Sequence, residues 1–315
     1  MRDILTVTLN PALDLASEAP RVIPNEKLRC DPAHTDPGGG GINVSRAIQL
    51  LGGSSRCFVA LGGSTGQRIA DLLGEAGLDL IQHKVPGETR TSLAVGDKTT
   101  GDQYRFMLPG PPWFPADVAA VEAGVLAAAE PGGLAVLSGS LPLGAPPALM
   151  ADLAARLTGL GAEVIVDTSG PALHQLTRAS EFAPKVLRMN HFEAQDCAGH
   201  PLNSLQESAD FAAALAKSGA AQIVIVARGP EGSVLATPTE RWHSRAANVP
   251  VRSKVGAGDS FVGGFTYALA QGLSLPECLT RGVAAGSAAV MTEGTLLCRP
   301  EDAERLIAHC PSTRL

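Results

Sequence analysis

The sequence predicts an α/β fold in three layers: a mostly parallel sheet flanked by helices, with a small antiparallel β lid. Three observations point there. Short runs of Val, Ile and Leu recur without polar alternation, as in strands buried on both faces. Helix-period segments separate those runs. Two other stretches interleave polar and apolar residues, as in strands with one wet face.

The strand-like runs are Ile4 to Leu9, Cys57 to Leu61, Leu134 to Leu137, Glu163 to Val166 and Ile223 to Val226. The helical patterns between and after them are Ile42 to Leu51, Gly66 to Ala76, Asp117 to Ala129, Pro147 to Leu157, Ser204 to Lys217 and Asp259 to Gln271. Ligands of such sheets sit beyond the carboxyl ends of the strands. The stretches Ala12 to Thr35 and Arg90 to Leu108 break the rhythm, with turn residues at Gly96-Asp97 and Gly101-Asp102. They are expected to form the lid. The body is then residues 1–11, 37–88 and 110–315, and the lid 12–36 and 89–109. Open lid edges invite a second copy, so a homodimer through the lid is expected. The Pro-rich run Pro109 to Pro115 reads as a stiff connector back to the body.

Composition narrows the function. With 25 Lys and Arg against 31 Asp and Glu, the formal net charge is −6, and basic runs are absent. Nucleic acid and anionic membranes are not expected partners, so local cations must meet any anionic ligand. The start of the chain carries no signal-peptide pattern, and no stretch suits a membrane span. The 6 cysteines are scattered without a C-x-x-C, which suits reduced thiols and a cytoplasmic location.

The strongest motif is Val255-Gly256-Ala257-Gly258-Asp259-Ser260 ahead of a helix. The glycines let N–H groups converge, and the helix adds its positive end, so an anion is favoured there. Asp259 in the first helical turn can take the proton of an attacking hydroxyl, although a plain N-cap would look the same. Next is Gly38-Gly39-Gly40-Gly41-Ile42-Asn43. A glycine run has a purpose if a polyhydroxylated ligand approaches bare backbone, and Asn43 offers it a donor and an acceptor. The alternative is a flexible loop. In Asn10-Pro11-Ala12-Leu13-Asp14, Asp14 lies past the first strand and can accept from two sugar hydroxyls, or can shape a turn. In Asn190-His191-Phe192-Glu193, Asn190 and Glu193 share a helical face and supply oxygens suited to Mg²⁺; an ordinary helix start has the same spacing. Any ATP is not bound by a P-loop, because G-x-x-x-x-G-K-[ST] is missing. No G-x-G-x-x-G follows the first strand, which removes a dinucleotide oxidoreductase.

These pieces, in this order, resemble the ribokinase family, also called the PfkB carbohydrate kinases. Ser138-Gly139-Ser140-Leu141-Pro142 and Val166-Asp167-Thr168-Ser169-Gly170 extend the likeness along the whole chain. The resemblance implies a ribokinase-like fold and an ATP-dependent kinase using Mg²⁺ and K⁺. Lys27-Leu28-Arg29-Cys30, the unbroken glycine run, Gln103-Tyr104-Arg105-Phe106 and Gly294-Thr295-Leu296-Leu297-Cys298 are most similar to the branch acting on fructose 6-phosphate at C1. Near relatives act on fructose 1-phosphate or tagatose 6-phosphate.

By the same resemblance, Asp259 is the base and Gly256, Ala257 and Gly258 are the anion hole. Asp14, Gly39, Asn43 and Ser140 meet the sugar, and Lys27, Arg29, Arg90 and Arg105 meet its phosphate. In a dimer, Lys27 or Arg29 reaches the neighbouring site. Arg188, Asn190, Arg228, Gly229 and Gly232 meet the nucleotide. Asn190 and Glu193 serve Mg²⁺, and Ser253, Val255, Ala289 and Gly294 serve K⁺. Three positions depart from the family pattern: Arg188-Met189 replaces Lys-Pro, Ala227 replaces a hydroxyl, and Thr292 replaces an amide. The rival from another class is a non-catalytic sugar-phosphate or nucleotide sensor, which has no use for a base at Asp259.

Overall fold

Strands without a polar face need cover on both sides, and alternating helices supply it. The computed structural model describes residues 1–315. It begins with β1 (Ile4–Thr8), followed by lid strands β2 (Ala12–Ala19) and β3 (His34–Gly38). The body resumes with α1 (Gly40–Leu50), β4 (Arg56–Leu61), α2 (Gly63–Glu75) and β5 (Asp79–Lys84). Lid strands β6 (Arg90–Asp97) and β7 (Gln103–Met107) come next, and then α3 (Pro115–Ala128), β8 (Leu134–Ser138), α4 (Leu149–Gly159) and β9 (Glu163–Asp167). They lead to α5 (Gly170–Leu176), β10 (Val186–Asn190), α6 (His191–Ala198), α7 (Leu205–Ser218), β11 (Ile223–Ala227), β12 (Ser233–Ala236) and β13 (Arg241–Ser244). The chain closes with α8 (Ala257–Ala270), α9 (Leu275–Ala289), α10 (Pro300–Leu306) and β14 (Ser312–Arg314).

The body sheet has ten strands in the order β14-β13-β12-β11-β10-β9-β8-β1-β4-β5. From β11 to β5 neighbours run parallel, while β12, β13 and β14 pair antiparallel. Alternation along β1 shows the layering. Leu5 and Val7 face one core with residues of α3 to α7, and Ile4 faces the other with residues of α1 and α8 to α10. Thr6 turns toward α1, where its hydroxyl lies 2.7 Å from that of Ser45.

The lid is a four-stranded sheet in the order β3-β2-β6-β7. Its outer pairs are antiparallel and its middle pair, β2 with β6, is parallel. The parallel pair follows from the connections: β2 continues from β1 and β6 from β5, and β1 and β5 run the same way in the body sheet. Between β2 and β3 the chain is irregular rather than extended, and it is pinned by Val22 N–H donating to Asp97 at 2.8 Å. No helix is long and apolar enough to cross a membrane.

Candidate active site

The parallel strands end on one side of the sheet, where β1, β8, β9, β10 and β11 deliver Asn10, Ser138, Asp167, Asn190 and Arg228. The start of α8 meets them there. Gly256 caps that helix with φ of 74°, a left-handed geometry, and a Cβ on it would lie 2.7 Å from Leu297. The left-handed geometry calls for glycine, and Leu297 would have to give way to any side chain there. The first N–H groups of α8, including those of Ala257 and Gly258, have no intrahelical acceptor and point out of the helix.

Asp259 lies in that first turn, and Asn43 Nδ2 donates to its Oδ2 at 2.8 Å. Burial pushes the Asp259 carboxyl up to about 7 and the charge of Asp167 adds to this, while the Asn43 hydrogen bond and the Arg188 charge oppose it. Arg188 comes from β10. Its Nη1 donates to Asp167 Oδ1 at 3.1 Å, and its guanidinium lies 5.8 Å from the centre of the Phe261 ring. The same Nη1 would be 3.2 Å from a side chain on Gly258, so the cation backs directly onto the anion turn. Its Nε is buried without a partner, a donor left for an anion or a water. Asp167 was not among the expected site residues. Its signal was present, an acid at the end of a buried strand inside Val166 to Gly170.

At the other end of the site, Asp14 on β2 stands in register between Asp36 on β3 and Ser92 on β6. Burial raises its pKa, against the charge of Arg90, a hydrogen bond with Ser92 and the charge of Arg105. Arg90 and Arg105 therefore share one electrostatic neighbourhood with Asp14. Arg90 is seated on Asn10, donating from Nε to the side-chain oxygen at 3.1 Å and from Nη2 to the backbone oxygen at 3.2 Å. Asn10 Nδ2 in turn donates to Ser140 Oγ at 3.0 Å. Asn10 was quoted in the sequence only as part of a turn; it is the joint between lid and body. Lys27 and Arg29 are exposed on the irregular segment, and no ion pair or hydrogen bond joins either to this group.

The glycine run needs a different explanation from the expected one. A Cβ at Gly38 would lie 2.1 Å from the Asp14 carboxylate, at Gly39 2.6 Å from Thr8, at Gly40 2.4 Å from Ser138, and at Gly41 2.6 Å from Thr8. The start of α1 is pressed onto the ends of β1 and β8, and packing alone demands glycine. The run is neither a flexible loop nor bare backbone kept only for a ligand. Ile42 N–H is already taken by Thr8 Oγ1 at 2.9 Å.

On the side expected to take the nucleotide, Asn190 and Glu193 form a reciprocal cap. Asn190 N–H donates to Glu193 at 2.7 Å, and Glu193 N–H donates to Asn190 at 3.0 Å. Burial raises the Glu193 pKa and leaves its second oxygen uncommitted here. No group of three or more His, Cys, Asp or Glu side chains gathers to hold a metal ion. Separate oxygens such as those of Glu193 and Asp167 fit a hydrated Mg²⁺ that keeps its waters and arrives with phosphates.

Arg228 corrects an expectation. Its side chain is buried and spent inside the protein, donating to Glu231, Leu202 O and Ser208 Oγ, so it is not free for phosphates. It shapes the turn between β11 and β12 that carries Gly229 and Gly232; at the latter, with φ of 93°, a Cβ would strike Ser244 O at 2.0 Å. Ser253 and Val255, before α8, meet Gly294, in the loop after α9, and Ala289 ends that helix. Ser253 Oγ donates to Gly294 O at 2.8 Å and accepts from Val255 N–H at 3.1 Å, and Thr292 Oγ1 donates to Ala289 O at 2.7 Å. Each carbonyl keeps a second lone pair.

Known proteins resemble this chain along nearly its whole length. The family model described as "pfkB family carbohydrate kinase" matches residues 7–302. The ATP-dependent 6-phosphofructokinase isozyme 2 of Mycobacterium tuberculosis is 37% identical over 308 residues, covering 96% of this chain and 88% of that one. The crystal structure of phosphofructokinase-2 from Escherichia coli in complex with potassium superposes with a TM-score of 0.92 at 36% identity, covering 98% of this chain and 99% of that one. The same Escherichia coli protein in complex with fructose-6-phosphate gives a TM-score of 0.90 at 34% identity, covering 98% and 99%.

Proposed function

The chain belongs to the pfkB family of carbohydrate kinases, and from that premise we propose that it transfers the γ-phosphoryl group of ATP to the C1 hydroxyl of fructose 6-phosphate, giving fructose 1,6-bisphosphate. One observation carries the reading: Asn43 holds the Asp259 carboxylate at the mouth of the Gly256–Gly258 turn. A base and an anion cradle then stand side by side, as phosphoryl transfer to an alcohol requires.

In this reading Asp259 takes the proton of the C1 hydroxyl as that oxygen bonds to the γ-phosphorus. The bond from phosphorus to the bridging oxygen breaks, and ADP leaves with the electron pair. Backbone N–H groups of the turn and the Arg188 guanidinium meet the charge spread over the phosphoryl oxygens. Hydrated Mg²⁺, when bound, neutralises the nucleotide phosphates, and Glu193 and Asp167 are the residues that would hold its waters. Asp14, Asn43 and Ser140 orient the sugar, and Arg90 and Arg105 bind its 6-phosphate by charge-assisted hydrogen bonds. The place where the segment of Ser253 and Val255 meets that of Ala289 and Gly294 is the proposed K⁺ position, in line with the potassium complex of the Escherichia coli relative.

Residues 12–36 and 89–109 act as the lid on this account. Two copies pair through it, with the exposed edge strand β7 and its Tyr104, Phe106 and Met107 as the apolar seam. Lys27 and Arg29 then serve the site of the partner copy.

A coupled ADP-release assay tests the reading, run with and without K⁺ on fructose 6-phosphate, fructose 1-phosphate, tagatose 6-phosphate and free sugars. The highest kcat/KM is expected with fructose 6-phosphate. Equal rates on phosphorylated and free sugars would overturn the substrate class, and no turnover with any of them would favour a sensor.

A further inference from the structure

The carboxylate of Asp36 plays no part in the chemistry above, yet it is buried and reaches three parts of the chain. It lies on β3, opposite Asp14 in the register of the lid sheet. Its Oδ2 accepts a hydrogen bond from the Thr295 hydroxyl at 2.6 Å, and His34 Nε2 lies 3.1 Å from the same oxygen. Its Oδ1 faces the Arg46 guanidinium at 3.7 Å, and Arg46 lies on α1 a turn beyond Asn43.

Thr295 belongs to the loop after α9, and that loop leans on the anion turn. Leu297 fills the space into which a side chain at Gly256 would grow, at 2.7 Å. Cys298 N–H donates to Ser260 Oγ at 3.3 Å, within the first turn of α8. Thr292 Oγ1 lies 2.7 Å from Leu296 O as well as from Ala289 O, its one proton serving the two carbonyls, and so braces the loop from inside. A continuous set of contacts therefore runs from the lid strand beside Asp14, through Asp36 and Thr295, to Gly256.

We infer that Asp36 is a positioning residue for phosphoryl transfer, tying the sugar-facing lid strand through Thr295 to the loop that sets the anion turn. The inference rests on the sugar-phosphate kinase reading. A lid out of place draws on Thr295, and through Leu297 it disturbs the backbone that must meet the transferring phosphoryl group. Alignment of the turn then depends on the lid, so the tie acts on the chemical step more than on binding of either substrate.

Four variants test it, each with Tm recorded as the control for folding: Thr295→Val, Thr295→Ser, Asp36→Ala and the Asp36→Ala/Thr295→Val pair. Thr295→Val removes the donor at nearly constant shape. It is expected to lower kcat about 10-fold, with KM for fructose 6-phosphate and for ATP changed by less than about 2-fold. Thr295→Ser keeps the hydroxyl and should turn over near the wild-type rate. The paired variant should be no slower than the slower single one, because both substitutions cut the same tie. Wild-type turnover by Thr295→Val overturns the inference, as does a Thr295→Ser variant as slow as Thr295→Val, or losses that multiply in the pair. If Asp36→Ala does not fold, the two Thr295 variants decide alone. A wild-type enzyme inert on every sugar phosphate would remove the underlying reading, whereas an active wild type matched by Thr295→Val removes only this inference.

Discussion

Asp259 and Arg90, both proposed for the carboxyl-end site, are held by different kinds of structure. Asp259 sits at the head of a 14-residue helix packed against the core, with Asn43 from α1 on one side and the Arg188–Asp167 pair close by. Every one of those elements belongs to the body. Arg90 opens β6 of the lid sheet, which shares no strand with the body sheet, and it is seated there by Asn10. The chemical end of the site is thus preformed by packing, and the substrate end hangs on a few polar joints. Preorganised charge stabilises a transition state best when it need not move. A group that only has to capture a phosphate can ride on a lid.

Changing pH should expose the largest difference between the two ends. Asp259 holds its proton to about 7 instead of the ordinary 3.8, so the base is unavailable in acid. The expected kcat/KM therefore climbs with pH, by roughly 10²-fold from about pH 5 to 7, and levels above. An Asp259→Asn variant should lack this limb in its residual rate. Stability moves the opposite way. The unfolded chain releases this proton near 3.8 and the folded chain near 7, so this group's contribution is lost as pH rises across that window. Asp259→Asn should accordingly raise Tm at about pH 8, by roughly 2–4 °C, in a thermal scan.

The lid end should respond in KM. Arg90→Ala is expected to raise KM for fructose 6-phosphate about 30-fold while kcat changes little, and to leave KM for a free sugar nearly alone. A smaller effect is expected from Arg188→Met, about 10-fold in kcat at neutral pH. Removing that cation also lifts the Asp259 pKa further, so the acid limb should move to higher pH; Arg188→Lys keeps the charge and should restore much of both. Lys27→Ala should give the smallest change, about 3-fold in KM for fructose 6-phosphate. Mixing it with Asp259→Asn protein should recover activity if the neighbour supplies the lysine. A Lys27→Ala defect unaltered by mixing would place that residue at its own site and weaken the contrast between a closed body and a shared lid.

The sequence already showed much of the body. Buried runs such as Ile223 to Val226 and capped helices such as that after Ser204 follow local rules, and the structure has β11 and α7 there. Elements whose pattern is not local were missed. Helix α9, LPECLTRGVAAGSAA, has its larger apolar residues Leu275, Leu279 and Val283 in the first nine positions only, and its second half is Ala, Gly and Ser. β13, RWHS, is short and has only one fully buried residue. Asp259 and Asn43 were both candidates in the sequence, but their hydrogen bond spans most of the chain and only the fold reveals it. Arg228 was misread for the same reason: it matches a family position that contacts phosphates, and only the fold shows Ser208 and Leu202 around it. The glycine run was noticed as an approach for a ligand, whereas the collisions that explain it come from Asp14 on β2 and from the ends of β1 and β8, the last far away in the chain.

Replacing Asp259 by Asn and measuring both fructose 6-phosphate affinity and turnover bears most directly on the proposed chemistry. Affinity within about 3-fold of wild type, with kcat at least ~10²-fold lower, is the expected result. Turnover at the wild-type rate would contradict it.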